Sequence, residues 1–323
     1  MGGGTTASAV QAAFDLFSDP TNGFLYNETT ALFVLDLLGY PVTPVTGLNT
    51  FWNRQYSSLY AWRSIGNANY HGLQLSLRKH MGHGVLFDFN YTFSKSIDLA
   101  SDAERIGPWG GLGGQIINSW SHKQTRAVSD FDATHQLNSN WIVELPLGKG
   151  RAIGRNARGA AEALVGSWQV SGILHWTSGF PVNVLNGYTW PTNWQLEGNA
   201  MLRGAPPVTR TTKNADGTVN MFPDPAAALQ AFRNPLPGEG GMRNVIRGDG
   251  FYSLDMGLGK RWKMPYAESH SLQFRWDVFN VPNSNRFNVQ SNPPEIDLAT
   301  AFGKYTGLLT NPRVMQFALR YEF

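Results

Sequence analysis

Asp130, Asp132 and His135 are the side chains whose types and spacing come closest to a metal site. Carboxylate oxygens and an imidazole nitrogen form a ligand set that several divalent metals accept. Two aspartates separated by one position lie on the same face of an extended strand, whereas His135, three positions after Asp132, lies on the opposite face. The spacing therefore predicts hydrogen bonding at the mouth of a strand and no bound metal.

Motifs that identify common enzymes are missing from the sequence. It contains no G-x-S-x-G nucleophile turn, no H-E-x-x-H zinc motif and no carboxylate pair spaced for glycoside hydrolysis. The glycines of residues 148–154 lack the spacing of a dinucleotide-binding turn and the Lys-Ser/Thr pair of a phosphate-binding loop. We therefore expect that the protein is not an enzyme and holds no cofactor.

Two pairs of residues are candidates for binding a solute. Trp190 and Trp194 lie in the largest loop and offer rigid aromatic area for a sugar or an aromatic ligand, although packing within the loop explains them equally well. Arg275 and Asp277 share one face of a predicted strand and would line a pore lumen. For this second pair, we favour a cross-strand ion pair over contact with a solute.

A basic connection spans residues 146–166. Its cations suit phosphate or lipid headgroups, but a solvated turn is the interpretation that we favour. They are Lys149, Arg151, Arg155 and Arg158.

The elements that must position these residues are strands, and the last eleven residues show this most clearly. In residues 313–323, apolar side chains occupy every second position, a period that only an extended strand produces. The length matches the 9–11 residues, roughly, that a tilted strand needs to cross a bilayer. The apolar positions are Met315, Phe317, Leu319, Tyr321 and Phe323.

The same period recurs about eight times along the chain. The predicted strands span residues 57–64, 70–80, 85–93, 132–145, 167–178, 251–262, 269–280 and 313–323. Bulky apolar residues alternate with Asn, Gln, Ser, Arg and Asp, which is typical of strands with lipid outside and water inside. The predicted lipid-facing residues include Phe87, Phe89, Tyr91, Phe274, Trp276 and Phe317. Residues 1–56 are predicted to be an irregular segment with short helices, and residues 57–323 to form the barrel region.

Composition supports a membrane protein built from strands. Charged residues make up only 15% of the chain, while 35 glycines and 11 tryptophans are high counts. No apolar run approaches the roughly 18 residues of a membrane-spanning helix. The formal charge of +3, without a dense basic run, argues against nucleic acid as a partner, and the absence of cysteine excludes disulfides.

Connection lengths point to a barrel as well. Long connections at residues 96–131, 187–250 and 281–312 alternate with shorter ones at 81–83, 146–167 and 263–268, while the tight gap at 66–69 breaks the pattern. Outer-membrane barrels have short periplasmic turns and long external loops, whereas a β-sandwich has no reason for this alternation. The inward residues are polar and do not form a tightly paired set, which favours a wide, watery lumen and therefore a larger barrel.

Six segments, taken together and in order, carry a resemblance to a known family. They are 69–75 (NYHGLQL), 89–98 (FNYTFSKSID), 129–135 (SDFDATH), 166–173 (GSWQVSGI), 243–250 (RNVIRGDG) and 277–283 (DVFNVPN). They resemble the C-terminal barrel half of TonB-dependent outer-membrane receptors, most closely the Oar-like type with a carboxypeptidase regulatory domain that is common in acidobacteria. The resemblance covers about residues 55–323.

The resemblance implies import of a scarce small-molecule, glycan or peptide nutrient through a barrel of about 22 strands in a Gram-negative outer membrane. It also implies outer-membrane lipid as a partner and an assembly machinery that recognises the last strand through Phe317, Leu319, Tyr321 and Phe323. The TonB complex would act through a plug domain, which this sequence lacks. Since residues 1–6 do not resemble a leader peptide, we expect the chain to be a C-terminal part of a longer precursor, or a mature or truncated form.

The sequence therefore predicts an all-β fold, an antiparallel transmembrane β-barrel with long extracellular loops. Two alternatives remain open. One is a self-contained small outer-membrane barrel that acts as a porin or an adhesin. The other is a soluble β-sandwich that binds glycans.

Overall fold

A computed structural model describes residues 64–101, 121–186, 198–214, 216–235, 239–288, 290 and 292–323. The predicted irregular segment 1–56, the predicted first strand except Ser64, and both Trp190 and Trp194 lie outside these ranges. None of the helices in the described ranges combines the length and the hydropathy that a membrane crossing requires.

Strands are the main regular elements of the described chain. In chain order they are β1 (Asn69–Gly82), β2 (Val85–Asp98), β3 (Ala127–Val128), β4 (His135–Glu144), β5 (Trp168–Thr177), β6 (Pro181–Val182), β7 (Met201–Leu202), β8 (Thr212–Lys213), β9 (Val219–Asn220), β10 (Phe232–Arg233), β11 (Ile246–Arg247), β12 (Phe251–Met264), β13 (Ala267–Phe279) and β14 (Val314–Glu322). A 3-10 helix (His122–Thr125) and the helices α1 (Ala160–Val165) and α2 (Pro225–Gln230) complete the elements.

Seven long strands form one antiparallel sheet in the order β1-β2-β4-β5-β12-β13-β14, and β3 pairs with the end of β2. The long strands contain 9 to 14 residues, the length that a bilayer crossing requires. The sheet is open, because β1 and β14 form its two edges. The predicted all-β antiparallel class is confirmed.

Strand register separates an apolar face of the sheet from a polar one. Directly opposed residues lie on the same face, so a row across the strands shows the character of that face. One row consists of Leu75, Tyr91, Leu137, Trp176 and Tyr252. The row one position away consists of Ser76, Asn90, Asn138, His175 and Ser253. A shift of one residue in any strand would mix the two faces.

No second protein layer covers the apolar face within the described residues. Phe89 and Phe317 are exposed, at 37% and 64% of their maximal surface. Phe87, Tyr91, Phe274 and Trp276 are only half-buried, and the contacts of Phe274 include an edge contact with Trp168 of the same sheet. A β-sandwich would bury such residues against a second sheet, so the structure argues against the soluble alternative.

The polar face is more closely paired than the sequence suggests. Arg78 forms a cross-strand ion pair with Asp88 at 3.0 Å, and Arg261 forms one with Glu322. Ser76 donates to Asn90 at 2.7 Å. The expectation that the polar residues are not tightly paired is therefore wrong for these positions, since opposed strand positions bring long polar side chains within reach of each other. The arginines of both ion pairs remain exposed.

Connections alternate in length around the sheet, as predicted. The short ones are residues 83–84, 145–167 and 265–266, and the long ones are 99–134, 178–250 and 280–313. His83 and Gly84 have φ angles of 54° and 76°, the left-handed values of a two-residue turn whose twist matches that of the strands. All long connections consequently emerge at the same end of the sheet, opposite the short ones.

The main hydrophobic core lies in the long connections and not in the sheet. We call residues 178–250 and 280–313, as far as they are described, the loop platform. Phe222 and Phe302 stack at its centre with ring centroids 5.3 Å apart, and both are almost fully buried. The buried core residues are Val182, Val184, Ala200, Met221, Phe222, Ala228, Phe232, Ile246 and Phe302.

The long connection predicted at residues 187–250 is not an irregular loop in its described part. Three two-stranded ladders, β6-β11, β7-β10 and β8-β9, are formed mainly within it. The helix α2 begins at a cap in which the Asp224 carboxylate accepts a hydrogen bond from the Ala227 amide at 2.9 Å. Elements this short do not produce a period that a sequence pattern can reveal.

The stability of the loop platform should depend on Phe222. Phe222→Ala removes a stacked, buried ring and should cost about 3–5 kcal/mol of local stability. We expect faster proteolysis and hydrogen exchange in residues 178–250, with heat-modifiable gel migration of the barrel unchanged. Val208→Ala is the control, because Val208 is 76% exposed in the same connection. Equal rates of proteolysis and hydrogen exchange in the two variants would contradict a packed loop platform.

The two faces of β2 should respond differently to a charge. Phe89→Arg places a charge on the apolar face near mid-strand and should cost on the order of 2–4 kcal/mol in a bilayer. Asn90→Arg places the same charge on the polar face and should cost much less. Urea unfolding of the protein in lipid vesicles measures both values, and equal losses would mean that the faces are assigned wrongly.

Candidate functional site

The predicted strand-mouth aspartates lie where the loop platform meets the ends of the long strands. Asp130 and Asp132 precede β4, which begins only at His135 and not at residue 132 as predicted. Both carboxylates form ion pairs with arginines of the platform. The Arg243 Nη2 lies 2.9 Å from the Asp130 Oδ1, and the Arg247 Nη2 lies 2.5 Å from the Asp132 Oδ2.

Arg243 is the most deeply buried cation of this group. Its Nη1 donates to the Asp98 Oδ1 at 3.0 Å, and each of these two side chains is only 7% exposed. It also donates to the Thr125 carbonyl at 3.2 Å and to the Ser101 hydroxyl at 2.8 Å. The planar guanidinium thus joins four separate acceptors, an arrangement that a lysine ammonium does not match.

Asp132 is held in a similar way, with its side chain 1% exposed. Its Oδ1 accepts from the Ser96 amide at 2.6 Å, at the end of β2. Arg247 donates to the Asp132 carbonyl at 3.1 Å and to the Gly179 carbonyl at 2.9 Å. We call Asp98, Asp130, Asp132, Arg243 and Arg247 the arginine clamp.

Two amide side chains extend the arginine clamp to a further loop. Asn244, whose φ of 55° lies in the left-handed region, donates to the Val128 carbonyl at 2.6 Å and to the Asp130 carboxylate at 2.5 Å. Gln290 donates to the Asp130 carbonyl at 2.6 Å and to the Pro181 carbonyl at 3.1 Å. All three long connections are therefore fastened together above the strand ends.

His135 does not join the two aspartates. Its Nδ1 lies 2.8 Å from the Tyr91 hydroxyl, and its ring packs beside Phe93 and Trp176 on the apolar face. This places the imidazole among the aromatic residues at the long-connection end of the sheet, where membrane and water would meet. Within the described ranges, no group of three or more His, Asp or Glu side chains is arranged to hold a metal.

Arg275 and Asp277 form an ion pair at 2.9 Å on the polar face. The pair lies within β13, so the expected cross-strand pairing is wrong. Asp277 is opposed by Gly257 and Gln316, and Arg275 by Gly259 and Ala318. Since none of these four neighbours is ionisable, the two charges pair along their own strand.

The last strand carries the predicted assembly residues on the outward edge of the sheet. The exposed fractions of Phe317, Leu319, Tyr321 and Phe323 are 64%, 68%, 45% and 90%. Phe317 stacks on Trp276 of β13 with centroids 5.7 Å apart. The Tyr321 hydroxyl lies 2.8 Å from that of Tyr266 in the short turn. An exposed aromatic strand at a sheet edge is a surface that another strand or a partner can pair with.

In the loop platform, the pKa values of Glu295, Tyr305 and Asp216 are shifted by their surroundings. Burial raises the pKa of Glu295, and the neighbouring Asp297 raises it further. Burial also raises the pKa of Tyr305, which stacks on Phe287 at 4.8 Å. The pKa of Asp216 is lowered because the Thr218 hydroxyl and amide donate to its carboxylate. These causes are local packing and turn formation.

Sequence patterns did not reveal the role of Arg243 and Arg247. Both fall in the segment 243–250 that resembles the receptor family, but their aspartate partners lie more than 100 positions earlier in the chain. The only available signal was complementary spacing, since the segment 129–135 carries two aspartates and the segment 243–250 carries two arginines. That signal alone does not specify which charges meet.

Removal of Arg243 should open the loop platform. Arg243→Ala leaves Asp98 buried without its cation and should cost about 3–5 kcal/mol of local stability. Limited proteolysis of the protein in detergent should then cut residues 99–134 and 178–250 much faster. Arg243→Lys should be cut at an intermediate rate, since a lysine keeps the charge but lacks the planar guanidinium that bonds several acceptors at once. Arg210→Ala, an exposed arginine in the platform, is the control. The clamp has no structural role if Arg243→Ala is cut at the rate of this control.

Comparison with known proteins agrees with the geometry of the sheet. A family model described as an outer membrane beta barrel domain matches residues 20–316, which is most of the chain. A search of curated proteins found no match. Strands of bilayer length, an uncovered apolar face and alternating connections are the properties of this family. The chain therefore belongs to the outer membrane β-barrel domain family, and it resides in the outer membrane of a Gram-negative bacterium.

Proposed function

We propose that this chain is the C-terminal part of the barrel of a TonB-dependent receptor, which binds a scarce nutrient at the cell surface and imports it. The open sheet is the observation that supports this most directly. β1 and β14 are the two edges of the described sheet and do not pair with each other. Unpaired backbone groups are very costly in hydrocarbon, so both edges need partner strands, and a larger barrel supplies them.

The chemistry of the polar face supports a wide lumen. A small barrel of about eight strands fills its interior with packed side chains. Here the polar face carries four exposed arginines, each in an ion pair: Arg78, Arg261, Arg275 and Arg320. Long ionic side chains need hydrated space around them, because burial without water is costly even for paired charges. A larger barrel provides that space.

The loop platform supports a role in binding. Long connections of outer-membrane barrels lie outside the cell, so the platform faces the medium. Its packed core and the arginine clamp give it a defined surface, and such preorganisation lowers the cost of holding a ligand. We assign ligand contacts to Trp190 and Trp194 in this connection and to Arg275 and Asp277 on the lumen wall. The substrate would be a small molecule, a glycan or a peptide.

Two protein partners follow from this proposal. The TonB complex would act on a plug domain that lies outside this sequence. The barrel-assembly machinery would recognise the edge strand β14 and the residue that follows it. Phe317, Leu319 and Phe323 are the most exposed aromatic and aliphatic side chains there. The protein would act by binding and transport, without catalysis or a bound cofactor.

A self-contained small barrel, a porin or an adhesin, is the second candidate function. One observation favours it: seven long strands together with the predicted strand at residues 57–64 reach eight, the smallest strand number of such barrels. The soluble glycan-binding sandwich is rejected, because the family is that of outer-membrane barrels.

Conductance of the full-length protein distinguishes these candidates. In a planar bilayer, a plugged receptor should conduct little ion current until urea unfolds the plug, and should then open to a large pore while the barrel persists. A porin conducts at once without urea. A small adhesin barrel, with its interior filled, conducts neither before nor after urea. Either of the last two results would contradict the receptor proposal.

A further inference from the structure

The helix α1 lies against the apolar face of the sheet at the short-connection end. Three side chains of that face donate hydrogen bonds to carbonyls at its C-terminal end. The Trp168 Nε1 donates to Leu164 at 2.9 Å, and the Trp262 Nε1 donates to Ala163 at 2.6 Å. The Lys260 Nζ donates to the Gly166 carbonyl. The sheet thus provides partners for carbonyls that a helix end otherwise leaves unpaired.

This position makes α1 an interfacial element. Short connections of outer-membrane barrels lie on the periplasmic side, so α1 lies at the level of the periplasmic leaflet. Tryptophans are typical of that level, since they combine an apolar ring with a polar N–H. Leu164 and Val165 are 71% and 39% exposed, and nearby Ile153 is 60% exposed. These side chains are suited to contact with acyl chains.

A cavity of about 640 Å³ opens beside α1. Its lining includes five cationic side chains and one carboxylate, Glu162. The cations are Lys149, Arg158, Lys260, Arg261 and Lys263. Its volume is within the range of roughly 300–1,000 Å³ that small-molecule sites have.

Several of these groups already have protein partners, and the cavity still keeps an excess of positive charge. Glu162 accepts a hydrogen bond from the Lys149 amide at 2.5 Å, and Arg261 pairs with Glu322. Lys260 is 3% exposed and lies over Trp168 and Trp262, 5.2 and 5.4 Å from their ring centroids. Its ammonium is thus fixed at the boundary between the apolar face and water.

The four cations of the basic connection (residues 146–166) fall into two sets in the structure. Lys149 and Arg158 line the cavity. Arg151 instead pairs with Glu144 at 3.3 Å, and Arg155 is exposed outside the cavity lining. All four side chains are exposed, as a solvated turn requires, and the two sets differ in whether they line the cavity.

We propose that this cavity binds the phosphate of an anionic phospholipid from the periplasmic leaflet, with the acyl chains lying along Leu164, Val165 and the apolar face of the sheet. Excess cations supply the charge, because each basic residue near an anionic membrane surface adds to lipid binding. The adjacent exposed apolar residues favour a lipid over a free phosphate. This proposal rests on the family and the geometry, and it is independent of nutrient import.

Lipid titration of the full-length protein in detergent tests the proposal by native mass spectrometry. The probes are phosphatidylglycerol, phosphatidylcholine and inorganic phosphate. We expect phosphatidylglycerol to bind most tightly. The double variant Lys149→Gln, Arg158→Gln should weaken its binding by about ten-fold or more, since two cations of the cavity are lost. The double variant Arg151→Gln, Arg155→Gln is the matched control from the same connection and should bind as the unmodified protein does.

Three results would overturn the proposal. Equal affinity for phosphatidylglycerol and phosphatidylcholine would show that the anionic charge is not recognised. Inorganic phosphate that binds as tightly as the lipid would identify the site as one for a free anion. Equal loss in the two double variants would place the lipid elsewhere on the connection. Lys260 is left intact in this experiment because its removal would break the hydrogen bond that holds the C-terminal end of α1 against the sheet.

Discussion

The strict alternation of side chains across seven paired strands is the constraint on which this structure depends. Hydrogen bonds between the strands satisfy the backbone, and the register then places every second side chain on one side of the wall. One side is apolar and is not covered by a second layer of the described residues, and the other carries amides, hydroxyls and ion pairs. Only surroundings that are oily on one side and watery on the other make such a sheet stable.

Both ends of the sheet are adapted to these surroundings in different ways. At the long-connection end, the arginine clamp joins distant loops into a platform with its own hydrophobic core. At the short-connection end, Trp168, Lys260 and Trp262 hold a short helix against the apolar face. The first arrangement orders the surface that meets the medium. The second arrangement, the short helix with its tryptophans and lysine, fits the boundary between lipid and periplasm. The two ends of the sheet therefore have distinct chemistry.

Sequence alone predicted the sheet of long strands well, because a period of two is local and repeats within each strand. Phe274 and Trp276 show it in β13, and the last strand shows it without interruption. The loop platform could not be predicted in the same way, since Phe222 and Phe302 meet across 80 positions without any period between them. Arg243 and Asp98 are 145 positions apart, and nothing local marks them as partners. The ion pair within β13 was predicted with the wrong geometry, because its cross-strand neighbours only became known from the register.

Accessibility of spin labels along β13 tests most directly that the apolar face meets lipid. The chain contains no cysteine, so single labels can be placed at each of residues 272–278 of the full-length protein in lipid bilayers. Collision with oxygen reports contact with lipid, and collision with a water-soluble nickel complex reports contact with water. The account predicts oxygen contact at 272, 274, 276 and 278 and nickel contact at 273, 275 and 277. Absence of this alternation, or the reverse phase, would contradict it.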